Sequence, residues 1–149
     1  MLGAVVATLV VAAPAQAGDA GLRKVVTQQE RKRAPLTEDF AIAIETPTSA
    51  VGIEQLTAAL KALRSATNQE RAAVVRIKAI SAKVKRGRTL LLIALADEST
   101  ALATYGDGLQ QVFDEQLPAA KRTFAKGATQ LKAATRKTGA AKKLIGVQG

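Results

Sequence analysis

The sequence predicts an all-α protein: an antiparallel helical hairpin or a three-helix up-down-up bundle with a partly disordered N-terminal arm. Three observations predict it. Ala occurs 31 times in 149 residues while aromatics make up 3%, so the hydrophobic fraction of 48% rests on small, helix-favouring side chains. Ile53, Leu56, Leu60, Leu63, Thr67, Glu70, Val74, Ile77, Ser81 and Val84 then recur by threes and fours, an a/d seam of nearly five heptads. Charge is also segregated. Residues 51–88 carry net +7, residues 89–118 net −5 and residues 119–149 net +8, as an up-down-up bundle with complementary neighbours would use.

The first seventeen residues stand apart. They are uncharged, run through Leu2, Val5, Val6, Leu9, Val10 and Val11, and end Pro14-Ala15-Gln16-Ala17, an apolar stretch followed by an A-x-A cleavage pattern. The stretch is shorter than the roughly 20 residues of a membrane-spanning helix, and no basic residue precedes it. A signal peptide over residues 1–17 and a secreted or cell-envelope location are therefore expected.

Residues 18–50 balance five basic against five acidic side chains and are expected to form an arm and linker. Leu22, Val25 and Val26 suggest a helical face before Pro35, whereas Phe40, Ile42 and Ile44 alternate as in a short strand. Thr46-Pro47-Thr48-Ser49 has linker chemistry.

The bundle is expected over residues 51–139. Ala59, Ala66 and Ala73 flank the first seam, and Arg64, Arg71, Lys78 and Lys85 form a basic edge. Lys83, Lys85 and Arg86 followed by Gly87 resemble a helix C-terminus and its cap, so the first reversal is expected at Gly87. That register sets Lys78 opposite Asp97, Glu70 opposite Tyr105 and Leu63 opposite Val112. The seam phase nevertheless continues through Leu91, Leu95, Glu98, Leu102, Tyr105, Leu109 and Val112, so the alternative is one long helix reversing at Gly106-Asp107-Gly108. The run Leu90 to Ala96 is expected to be the most buried part. Pro118 suits the first turn of a last helix, and residues 140–149 are expected to fray as a basic flexible tail.

Chemistry is constrained by absence: the chain has no Cys and no His. Thiol nucleophiles, Ser-His-Asp relays, Cys/His zinc sites and disulfides are excluded. Asp97-Glu98 and Asp114-Glu115, with Asp107 between, lack EF-hand spacing, and no glycine-rich phosphate loop is present. No catalytic, cofactor or metal residues are assigned, and the protein is expected not to be an enzyme. The 22 basic against 12 acidic residues leave net +10, which calls for an anionic partner. Lys121, Arg122, Lys126, Lys132, Arg136 and Lys137, on a helix with a thin apolar face, are the expected polyanion-binding residues. The expected partner is an anionic wall polymer or anionic lipid surface. Nucleic acid ranks behind it, because the only aromatics are Phe40, Tyr105, Phe113 and Phe124 and base readout lacks support. A cytoplasmic nucleic-acid-compacting protein and a structural homo-oligomer paired through the seam are the alternatives.

Overall fold

A computed structural model describes residues 18–45 and 50–147 of the chain. They form four α-helices in sequence order: α1 (Asp19–Ala43), α2 (Ala50–Arg76), α3 (Ala82–Phe113) and α4 (Leu117–Ile145). The all-α expectation holds at that level. The helix count is four rather than two or three, because the expected arm is itself a helix. Each helix runs antiparallel to the next, and the start of α1 meets the end of α4, where Arg23 Nε donates to the Ile145 carbonyl. Residues 1–17, expected to be a signal peptide, residues 46–49, expected to be a linker, and the last two residues lie outside the described residues.

α1 forms because Leu22, Val26, Leu36, Phe40 and Ala43 follow helical spacing and their face is covered by the other helices. Phe40 and Ala43 are buried while Ile42 is 59% exposed, so the apparent strand alternation is a helix showing its inner and outer faces in turn. Pro35 lies inside the helix and is exposed. It has no N–H to complete the i to i−4 bond, and packing of the flanking turns offsets that loss.

The seam of α2 is buried at every step from Leu56 to Ile77, apart from half-buried Ile53 at its start. It ends earlier than the heptads suggest. α2 stops at Arg76 and Ile77 to Ser81 make the turn, so Ser81 leaves the seam and becomes the N-cap of α3, accepting from the Val84 N–H. Arg88 reaches back to the exposed carbonyl end of α2, donating from Nε to Val74 O at 3.2 Å and from Nη2 to Val75 O at 2.7 Å. Asp19 accepts the N–H groups of Ile80 and Ser81 through its carboxylate. Three helices are thereby tied to one five-residue turn.

Neither Gly87 nor Gly106-Asp107-Gly108 reverses the chain; all lie inside α3. The cause is close packing. Gly87, Ala94, Ala101 and Gly108 repeat every seven residues and are buried, as are Ala120, Gly127, Ala134 and Ala141 on α4. These two small-residue stripes face each other. A Cβ on Gly87 would lie 2.8 Å from Ile145 Cγ1, one on Gly108 2.6 Å from the Phe124 ring, and one on Gly127 3.0 Å from the Tyr105 ring. α4 also continues to Ile145, which is fully buried with Ala141, so residues 140–145 are helix and not a frayed tail. The Leu90-to-Ala96 run presents two faces, with Leu91, Ala94 and Leu95 buried and Ile93 47% exposed. It is not uniformly buried.

The core divides in two. One cluster near the α2–α3 turn joins Leu22, Val26, Val74, Val84, Leu91, Leu95 and Ile145; the other joins Phe40, Leu56, Leu60, Leu63, Leu102, Tyr105 and Leu109. In the second, Tyr105 meets Phe40 edge-on with ring centroids 5.0 Å apart and a tilted Phe124 at 5.9 Å.

Candidate anion-binding site

Between the two clusters lies a polar layer. Arg33 of α1, Glu70 of α2 and Glu98 of α3 occupy seam positions of their helices and converge. Arg33 Nη1 bonds Glu70 Oε2 at 2.5 Å and its Nη2 bonds Glu98, whose Oε1 also accepts from Thr67 Oγ1 at 3.1 Å. Glu70 is 1% exposed, and burial pushes its carboxyl pKa above the ordinary value, while the Arg33 guanidinium acts in the opposite direction. Arg33 itself is held charged, because the attraction of the two carboxylates outweighs its own desolvation. Its Nε is buried without a hydrogen-bond partner. The expected register is overturned here. Glu70 meets Arg33 rather than Tyr105, Glu98 meets the same Arg33, and Asp97 pairs with Lys137 of α4 at 2.5 Å rather than with Lys78.

This layer forms the floor of a cleft of about 810 Å³ between α1 and α4, with Ala34, Leu63 and Leu131 along it and a Glu30–Lys142 ion pair at one end. Burial holds the Lys142 pKa below its ordinary value. Both carboxylates of the layer are taken up by Arg33, so they offer no free acid/base pair. Among the described residues no group of three or more Cys, His, Asp or Glu is placed to hold a metal ion.

The polar layer also divides the charge. On the α2–α3 side, residues 18–32, 71–96 and 138–147 hold thirteen basic side chains and two carboxylates. On the other side, residues 34–45, 50–69 and 99–136 hold seven of each. The net positive charge therefore belongs to one end of the bundle. There the end of α2 and the start of α3 enclose a cleft of about 500 Å³ lined by Val75, Arg76, Ile77, Lys78, Ala79, Lys85, Arg88 and Thr89, four of them cationic and none acidic. Arg88 is committed to the α2 carbonyls, whereas Arg76, Lys78 and Lys85 are exposed and form no ion pair among the described residues. The nearest turn carboxylate, Asp19, is engaged with the backbone; bonds from the Ser81 side chain and the Ile80 N–H hold its pKa below the ordinary value.

The six residues expected to bind a polyanion are all exposed on α4, but they do not form one site. Lys121, Arg122, Lys126, Lys132 and Arg136 lie on the charge-balanced side of the layer, and Lys137 is paired with Asp97. Lys121 and Lys132, eleven residues and about three turns apart, share a stripe that continues to Lys143. The cationic cleft escaped the sequence reading because the predicted helix ran through it: Lys78 and Lys85 were set along one straight edge and Arg76 off it, where the chain instead reverses. Arg33 escaped because Pro35 and the apparent strand concealed the spacing of Leu22, Val26, Arg33, Leu36 and Phe40. Among the described residues, no helix is long and apolar enough to cross a membrane. Compared with known protein families, with curated proteins and with solved structures, the chain matches none.

Proposed function

We propose that the protein is a non-enzymatic helical bundle that binds an anionic partner, a wall polymer or a membrane surface, at the cell envelope. The observation that carries this reading is the concentration of positive charge at the α2–α3 end, converging on a cleft with three uncommitted cations. Isolated surface cations are ordinary, and their even distribution serves solubility. A one-sided excess instead produces a directional field that draws in and orients a polyanion. The stripe of Lys121, Lys132 and Lys143 on α4 supplies a secondary basic track along the bundle, and the A-x-A pattern at Ala15 and Ala17 supports delivery outside the cytoplasm.

The test compares two charge changes of equal size. Replacing Arg76, Lys78 and Lys85 with Gln should weaken retention on immobilised polyphosphate much more than replacing Lys121, Arg122 and Lys126 with Gln. Wild-type retention should fall as salt shortens the Debye length from about 30 Å at 0.01 M to about 8 Å at 0.15 M. Equal retention of both variants and wild type across that range would reject anion binding by this end.

A further inference from the structure

Resting on that reading, we infer that the anionic partner is the surface of a phospholipid bilayer, which the α2–α3 end enters with Ile80 and Val75. Ile80 is 69% exposed and Val75 54% exposed. Ile80 stands in the turn between Lys78 and Lys83, and Val75 lines the cationic cleft. A soluble polyanion would satisfy the cations and leave both apolar side chains in water. An anionic bilayer satisfies both, because headgroup phosphates meet the cations while the acyl boundary takes the apolar tip.

The opposite end of the bundle supplies the contrast. Val51, Phe113 and Leu117 are also exposed there, at 65%, 61% and 45%, but Glu54, Asp114 and Glu115 accompany them. With Lys121 and Arg122 close by on α4, that side of the polar layer carries no net positive charge, so an anionic surface is not drawn to it. The molecule would thus meet a bilayer end-on, with the helices standing away from the membrane plane. The Ile77-to-Ser81 turn suits such contact, because Asp19 and the Gly18 N–H on Lys78 O fix its backbone beforehand, and Arg88 holds the end of α2 at Val74 and Val75 beside it. Little conformational freedom is lost on docking.

The chain contains no Trp, so a single introduced indole reports its own surroundings. In the full chain, Ile80→Trp fluorescence should shift to the blue with vesicles of phosphatidylcholine containing phosphatidylglycerol, and not with pure phosphatidylcholine vesicles or soluble polyphosphate. Phe113→Trp, at the far end, should not shift with any of them. Ile80→Ser combined with Val75→Thr should weaken anionic-vesicle binding about tenfold and leave polyphosphate binding unchanged, since only apolar insertion is removed. Lys78→Gln with Lys83→Gln and Lys85→Gln should weaken both, by about fivefold per cation near the membrane. Undiminished vesicle binding by the double variant, Ile80→Ser with Val75→Thr, overturns the inference, as does an equal shift of both indoles or a shift of neither. Retained polyphosphate binding would then leave the wider anion-binding reading standing; loss of wild-type binding to every anion would remove both.

Discussion

Glycine at a helix interior costs about 1 kcal/mol relative to alanine, so its persistence at buried sites needs a steric reason. Gly87, Gly108 and Gly127 have one, since an added Cβ would come within 3.0 Å or less of Ile145, Phe124 and Tyr105 respectively. Gly139 does not, because nothing lies within 4 Å of an added Cβ in the same helix. The same substitution should therefore change sign with position. Gly139→Ala should raise the unfolding free energy by about 0.5 to 1 kcal/mol through helix propensity alone. Gly87→Ala should lower it by about 1 to 3 kcal/mol, because overpacking must displace the Ile145 backbone as well as its side chain. Urea unfolding of the two variants checks both; a stabilising Gly87→Ala would show that α3 and α4 approach less closely than described.

Helices α2 and α3 were legible from spacing because their seams are periodic, and buried positions such as Leu63, Leu91 and Leu102 lie where the heptads put them, whereas α4 was legible from Pro118 in its first turn. Reversals were less legible. Gly87 after Lys83, Lys85 and Arg86 carries the local signature of a helix end, and close packing against α4, a tertiary fact, overrides it. The actual turn at Ile77 to Ser81 contains neither Gly nor Pro, so its stability rests on Asp19 and Arg88 from distant parts of the chain. The cationic cleft depends on that turn and was hidden with it, while α1 was hidden by Pro35. What docks α1 at mid-length is Arg33, and it also sets a pH dependence. Arg33→Met should cost about 3 to 5 kcal/mol near pH 7, because Glu70 and Glu98 are left facing each other without their shared cation. In the wild type the folded-state pKa of Glu70 is raised, so its contribution to stability is fully present below its unfolded value and is lost as pH rises through the folded value. Removing the cation raises that pKa further. The penalty of Arg33→Met should accordingly be small near pH 4 and grow toward neutrality in denaturant titrations; a penalty constant with pH would assign it to lost packing of the Arg33 stem.

At the scale of the whole molecule, two electrostatic effects oppose each other. Ion pairs within the bundle favour folding, and crowding of thirteen cations with two carboxylates at one end disfavours it. Magnitudes decide which responds to salt. The Arg33 pairs are largely removed from water and weakly screened, whereas the Lys137–Asp97 pair, with both side chains more than 40% exposed, is worth at most about 1 kcal/mol. The repelling cations are mostly exposed and lie at one end, so screening should act chiefly on repulsion. Unfolding free energy should therefore rise between about 0.01 and 0.15 M sodium chloride, as the Debye length contracts from about 30 to 8 Å. Lys83→Gln with Lys85→Gln and Arg86→Gln should stabilise the protein at the lower salt concentration and flatten that rise, since these three exposed side chains remove positive charge without breaking a described ion pair. Matched neutralisation of Lys121, Arg122 and Lys126 should do less, because acidic side chains balance the basic ones on their side of the polar layer. A wild-type stability that falls with salt would mean that attraction between the helices outweighs repulsion at the basic end, and the concentrated charge would then lose its standing as a force seeking an outside partner.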